Sequence, residues 1–156
     1  MSKNPVTSIS TVYNVALVTV DNLPNDIKLI SSIFSKIADA NINIDMISQS
    51  PPFKGLINIS FSMPSENIAK VIWLLNNYKS IVPNLRIEID SDSTKISVFG
   101  EAMKNIPGVA ARLFMLLADN EIEVKLVTTS EVDISFLIYD KDTDKTITAI
   151  KQAFNV

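Results

Sequence analysis

Apolar and polar positions alternate along the chain in two rhythms, which predict strands and helices. Residues 12–20 form a continuous β-branched run, typical of a buried strand. Apolar residues at three- and four-residue spacing follow over 27–38 and predict a helix with one buried face. Alternation in 56–63 predicts a half-exposed strand. The same rhythms predict three further elements: strand 42–49, a helix opening at Pro64 and Ser65, and strand 85–90.

A repeat relates the two halves of the chain. Residues 32–50 align with 112–130 at a constant offset of 80. The identical residues are Phe34/Phe114, Ala38/Ala118, Asp39/Asp119, Ile42/Ile122 and Ser50/Ser130. Beyond them the offset falls to 75, where the sequence NISF at 58–61 matches DISF at 133–136. We therefore expect two copies of one βαββαβ fold, the first with about five extra loop residues at 50–54.

The second copy ends one strand short. It predicts strand 94–99, helix 107–119, strands 122–130 and 132–139, and helix 144–154. An unpaired sheet edge is a liability, and the β-prone segment 5–10 belongs to neither copy. We expect this segment to complete the second sheet. The predicted domains are 12–91, and 92–156 plus strand 5–10, and the fold class is α+β: two ferredoxin-like βαββαβ domains, with antiparallel sheets and helices on one face.

Composition excludes several classes of function. A net charge of −3 and a pI near 4.9 argue against nucleic acid as a partner. The absence of histidine and cysteine removes the commonest general base and the commonest metal ligands, and three glycines cannot form a phosphate-binding or dinucleotide motif. No apolar run suits a membrane span or a signal peptide. We expect a cytoplasmic protein with no catalytic residues, cofactor or metal, its aromatic residues in the core and Trp73 at an edge.

The tandem arrangement resembles the paired ACT domains of the C-terminal regulatory region of aspartate kinases. The resemblance rests on residues 105–131, NIPGVAARLFMLLADNEIEVKLVTTSE, and on 16–26 and 41–50 in the first copy. It implies a homodimeric regulatory module that controls a kinase lobe allosterically in feedback inhibition of lysine biosynthesis. No kinase lobe precedes Val6, so the chain is expected to be a fragment or a free-standing regulatory subunit that partners a kinase catalytic subunit.

The resemblance also implies an amino-acid effector, lysine or threonine, held between ACT domains. Backbone N–H groups at a helix start suit its carboxylate, and carboxylate side chains suit its ammonium. Carried over position by position, the first-copy contacts are Asn25, Asp26, Lys28, Ile30, Ile44, Asp45, Gln49 and Ser50. The second-copy contacts are Met103, Ile106, Gly108, Glu123, Val124, Lys125, Thr129, Ser130 and Glu131.

Departures from the family pattern leave an alternative open. Lys28 stands where the family has glycine; either its side chain is expected to crowd the approach of the effector carboxylate, or its ammonium is expected to reach toward Asp45 and occupy the site. Lys125 replaces Asp45 in the second copy, which makes that position a poor ammonium acceptor. Asp45 is equally compatible with an ordinary solvated strand face. The alternative function is a ligand-free ACT pair for dimerisation or assembly, and outward-facing Ile47 and Val127 indicate a partner domain.

Overall fold

The structure is a computed structural model that describes residues 3–156. The strands are β1 (Ser8–Pro24), β2 (Ile47–Gln49), β3 (Leu56–Pro64), β4 (Arg86–Phe99), β5 (Val124–Thr129) and β6 (Asp133–Tyr139). The helices are α1 (Ile27–Asp39), α2 (Ile68–Asn76), α3 (Val109–Asp119) and α4 (Thr143–Phe154). Within residues 3–156, none of the helices has the length and apolar character needed to cross a membrane.

The chain divides into two compact units. The inserted unit is Asn14–Asp92, and the split unit joins the N-terminal segment up to Tyr13 to Ser93–Val156. Both are α+β folds in which antiparallel strand pairs are covered by helices. The boundaries fall within β1 and β4, where Asn14 and Asp92 both take left-handed backbone angles (φ 55° and 57°).

The inserted unit has the element order βαββαβ and the strand order β2-β3-β1-β4. Alternate residues of β1 and β3 point to one side, where α1 and α2 cover them. The core consists of Ala16, Val18 and Val20 from β1, Ile57, Ile59, Phe61 and Met63 from β3, Ile30, Ile33 and Ile37 from α1, and Val71 and Leu75 from α2. Both helices therefore lie on the same face of this sheet.

The split unit has the strand order β1-β4-β6-β5, and α3 and α4 cover its core. Val6 from the N-terminal segment is fully buried in that core. The Thr7 N–H donates to the Phe99 carbonyl at 2.8 Å, and a Cβ on Gly100 would lie 1.7 Å from the Pro5 carbonyl oxygen. A residue with a side chain at position 100 is thus incompatible with this course of the N-terminal segment.

Three element predictions were wrong in detail. Strands predicted at 85–90 and 94–99 are one strand, β4, which continues through the polar residues between them without a loop. Ser93 and Thr94 are buried, and Thr94 Oγ1 accepts a hydrogen bond from Thr143 Oγ1 at 2.9 Å. Likewise, segment 5–10 and strand 12–20 are not two strands, since β1 runs from Ser8 to Pro24.

The third difference concerns β2, which is three residues long rather than the predicted 42–49. Pairing becomes irregular opposite Ser62, whose carbonyl accepts from the Asp45 N–H at 3.1 Å and whose hydroxyl oxygen accepts from the Met46 N–H at 2.9 Å. The aromatic prediction also needs a correction: Phe114 is 43% exposed rather than in the core. Trp73, predicted at an edge, is 67% exposed.

The two copies of the repeat end their first helix in the same way. Asn41 follows α1 and Glu121 follows α3, and both take left-handed backbone angles (φ 61° and 53°). In each copy the next residue, Ile42 or Ile122, is buried and donates its N–H to a carbonyl in the last turn of the helix. The repeat therefore extends from sequence to the geometry of a helix end.

Candidate functional site

The loop half of the predicted site in the inserted unit is built around the start of α1. Asp26 is extended, and its Oδ1 accepts from the Lys28 N–H at 3.0 Å, so it caps the helix. Its backbone carbonyl accepts from the Ile30 N–H at 3.0 Å. The side chains of Asn25, Asp26 and Lys28 are exposed, whereas Ile30 belongs to the core. An effector carboxylate would have to compete with Asp26 for the Lys28 N–H.

The strand half of this site runs from Ile44 to Ser50 at the edge of the sheet. Asp45 and Gln49 are exposed, while Ile44 is half-buried. The Asp45 N–H donates to the Ser62 carbonyl at 3.1 Å, and Gln49 pairs with Ile59. Ser50 donates its N–H to the Asn58 carbonyl at 2.9 Å and accepts from the Asn58 N–H at 2.8 Å. These residues therefore spread along β3 from position 62 to position 58.

Register along β3 shows which predicted residues share one end of the inserted unit. Pro24, just before the loop half, pairs with Leu56, whereas Asp45 bonds to Ser62. Six residues of strand separate these positions, about 20 Å at the usual rise per residue. Gln49 and Ser50 lie toward the Leu56 end, near the loop half. A lysine side chain does not span such a distance, so the predicted approach of Lys28 to Asp45 within one unit is wrong.

A hairpin connects the two halves at the Leu56 end. Phe53 and Leu56 exchange both backbone hydrogen bonds, at 2.9 and 3.0 Å, around a two-residue turn in which Lys54 and Gly55 have positive φ. The Gly55 carbonyl accepts from the Asn25 N–H at 2.9 Å. This hairpin occupies the extra loop residues of the first copy, and it is fastened directly to a predicted effector residue.

The split unit offers a different loop half. Gly108 takes φ 86° just before α3, and its carbonyl accepts from the Arg112 N–H at 2.9 Å. Among residues 3–156, no side chain caps the start of α3. Met103 is buried and Ile106 is half-buried, so of these positions Gly108 is the exposed one. The helix start in this unit presents N–H groups that a carboxylate can approach without displacing a side-chain cap.

The strand half of the split unit carries a cation. Lys125 lies where the β5–β6 register shifts, and its Nζ donates to Ser93 Oγ at 2.8 Å. The same ammonium is 4.0 Å from the centroid of the Tyr139 ring. Val124 is half-buried and pairs with Ile138, while Glu123, Thr129, Ser130 and Glu131 are exposed. This half accepts an effector ammonium poorly at position 125, because a positive charge is already there.

Each unit also has an open depression beside its loop half. That of the split unit, about 660 Å³, is lined by residues that include Lys3, Thr7, Glu101, Lys104 and Ile106. That of the inserted unit, about 640 Å³, is lined by residues that include Asn22, Pro24, Leu56, Ile81 and Arg86. Within the described part of the chain, no three acidic residues cluster in a way that could hold a metal ion.

Sequence reasoning missed several residues that shape these sites. Ser62 and Ser93 bond to the edge of β2 and to Lys125, and no local pattern marks them. The capping role of Asp26 had a signal, an aspartate two residues before Lys28 at the start of an apolar helical pattern. The hairpin had one too, since the repeat locates an insertion at 50–54 that is followed at once by Gly55.

Comparison with known proteins identifies the family. The ACT domain family model matches residues 96–154. The aspartokinase of Bacillus sp. (strain MGA3) is 37% identical over 139 residues, which cover 89% of this chain and 34% of that protein. The chain therefore spans about a third of the length of the curated relatives it matches.

Solved structures match the chain over nearly its whole length. A chain in the crystal structure of aspartokinase alpha and beta subunits is 30% identical with a TM-score of 0.86, and the match covers 97% of this chain and 99% of that one. The ligand-free regulatory subunit of aspartate kinase from Thermus thermophilus shares the fold, with a TM-score of 0.82 at 22% identity. Since a relative with 30% identity is matched over nearly its whole length, the chain belongs to the aspartokinase family, and its residues 96–154 match the ACT domain.

Proposed function

We propose that the protein is an amino-acid-binding regulatory module built from two ACT domains, the inserted unit and the split unit. It would bind lysine or threonine and so control, allosterically, an aspartate kinase lobe that lies outside residues 3–156. The observation that carries the proposal is the end-to-end match to a chain in the structure of aspartokinase alpha and beta subunits. In this view the module works in the cytoplasm, in feedback control of lysine biosynthesis.

The two units differ in which group of an amino acid they suit. The exposed carboxylates Asp26 and Asp45 of the inserted unit are acceptors for an ammonium group. The start of α3, preceded by Gly108, suits a carboxylate. Lys125 keeps a second ammonium away from β5 of the split unit. The inserted unit is therefore our choice for recognition of the effector's amino group.

A site that includes both the loop half and Asp45 requires more than one inserted unit. Its loop half and Asp45 lie about 20 Å apart along β3, so one small effector cannot contact both. We propose a homodimer in which a second copy brings its strand half to the loop half of the first. Ile47 supports this arrangement, since it remains 53% exposed at the sheet edge of the chain by itself.

Thermal unfolding in the presence of amino acids tests the proposal. Lysine or threonine at millimolar concentration should raise the Tm in a dose-dependent way, since a ligand at 100 times its Kd stabilises the folded state by about 2.7 kcal/mol. Asp45→Asn should weaken the response, and Asp144→Asn, in the first turn of α4, is the matched control that should preserve it. No shift with any of the twenty amino acids would refute the sensing function.

A second function, assembly without a ligand, is favoured by one observation. Lys28 lies two residues after the capping Asp26, and its exposed side chain stands at the loop half of the site. In that case light scattering would show a dimer that does not respond to amino acids. Binding should then appear in Lys28→Gly, and its continued absence would leave Lys28 without this role.

A further inference from the structure

We propose that the hairpin of residues 50–56 is a third wall of the effector site in the inserted unit, and that Phe53 packs against the aliphatic stem of the effector. This inference rests on the proposed amino-acid-binding function. It adds an element that the split unit lacks, since the repeat has no counterpart of residues 50–54 in the second copy.

The hairpin is fixed next to the loop half by backbone bonds. The Gly55 carbonyl accepts from the Asn25 N–H, and Leu56 pairs with Pro24, so the hairpin is bonded to the residues that precede α1. On the other side, Ser50 is tied to Asn58 by two hydrogen bonds. The hairpin therefore joins Asn25 to Ser50, two predicted effector residues, through a short, hydrogen-bonded stretch of chain.

The split unit shows what the same position looks like without the insertion. There Ser130 donates its N–H to the Asp133 carbonyl at 2.8 Å and accepts from the Val132 N–H at 3.3 Å, which closes a tight turn. No described residue of that turn is aromatic. The extra residues of the first copy therefore carry an exposed aromatic ring, Phe53, which the turn of the split unit lacks.

Several large apolar side chains are exposed at this end of the inserted unit. Phe53 is 74% exposed, and Ile27, in the first turn of α1, is 76% exposed. Leu56 is 40% exposed and lines the depression of about 640 Å³ together with Pro24. Removing large apolar side chains from water lowers the free energy, so this end favours a partner with apolar surface.

The charges around Phe53 indicate which part of the effector it contacts. The Lys54 ammonium lies 5.4 Å from the centroid of the Phe53 ring, so a second ammonium is repelled from that face. A lysine effector would keep its charged groups at the carboxylates and lay its methylene stem along the ring. Threonine has no such stem. The hairpin therefore makes the site select a long-stemmed amino acid over threonine.

Calorimetric titration of lysine and threonine into the full chain tests the inference. Phe53→Ala should raise the Kd for lysine about fivefold to tenfold, from loss of the apolar contact, and leave that for threonine within about twofold. The Kd of Phe53→Leu for lysine should lie between those of the wild type and Phe53→Ala. Phe114→Ala, at an exposed phenylalanine of the split unit, is the matched control and should bind lysine like the wild type. Because Phe53 is exposed, the variants should remain folded.

The outcomes separate this inference from the function on which it rests. Lysine binding to Phe53→Ala with unchanged Kd overturns the hairpin's role and leaves amino-acid sensing intact. Failure of the wild type to bind either amino acid overturns both. A chemical shift change at the Asn25 amide on addition of lysine, lost in Phe53→Ala, would support the contact, because that amide is bonded to the hairpin.

Discussion

Glu121 occupies a backbone conformation that favours asparagine or glycine. Its φ of 53° is left-handed, and the equivalent position in the first copy of the repeat holds Asn41 at φ 61°. Glu121→Asn should therefore raise the free energy of unfolding by about 0.5–1 kcal/mol. Urea denaturation measures the change. The reciprocal variant Asn41→Glu should lower stability by a similar amount, and equal stability of all three proteins would contradict the strain argument.

Gly100 is required by a close approach rather than by its dihedral angles. A Cβ there would lie 1.7 Å from the Pro5 oxygen and 2.7 Å from the Pro5 carbon. Gly100→Ala should displace the N-terminal segment and cost about 1–3 kcal/mol, as overpacked sites do. Hydrogen exchange should show lost protection of the Thr7 amide, whose partner is Phe99. The Ile59 amide, in the inserted unit, serves as the internal control and should keep its protection.

At the scale of elements, α1 depends on its cap. Asp26 accepts the Lys28 N–H through a side-chain oxygen, so Asp26→Ala leaves that donor without its cap and should cost about 1 kcal/mol of stability. Asp26→Asn retains an acceptor and should be close to neutral in urea denaturation. A loss of the same size in both variants would show that charge at the helix start, not the cap, is what stabilises α1.

Elements were predictable where periodicity and capping signals agree, and less so where side chains replace ladder bonds. Helix α1 and strand β3 follow directly from their three-to-four and two-residue periods. The irregular pairing just before β2 involves Ser62, sixteen residues away from Met46, and no local pattern encodes that bond. For the site, the sequence and the family resemblance named the exposed carboxylates. They did not give the register that separates Lys28 from Asp45.

At the scale of the whole molecule, the proposed dimer makes Ile47 the residue to test. It is 53% exposed on the edge strand β2, so Ile47→Glu should leave the fold within about 0.5 kcal/mol of the wild type. The same charge should weaken self-association, measured by sedimentation equilibrium, if a second copy covers β2. Met115→Glu, at a 67% exposed position on α3, is the control. A monomeric wild type would rule out the dimer altogether.

The contact between the N-terminal segment and the end of α4 has a consequence for synthesis on the ribosome. Asn4 hydrogen bonds to the carbonyl of Phe154, 150 residues further along, so the split unit cannot be completed until residue 154 has emerged. The inserted unit, Asn14–Asp92, has all of its residues available much earlier. During translation Val6 therefore stays exposed until the later residues of the split-unit core have been synthesised. The order of emergence gives the inserted unit a head start in folding.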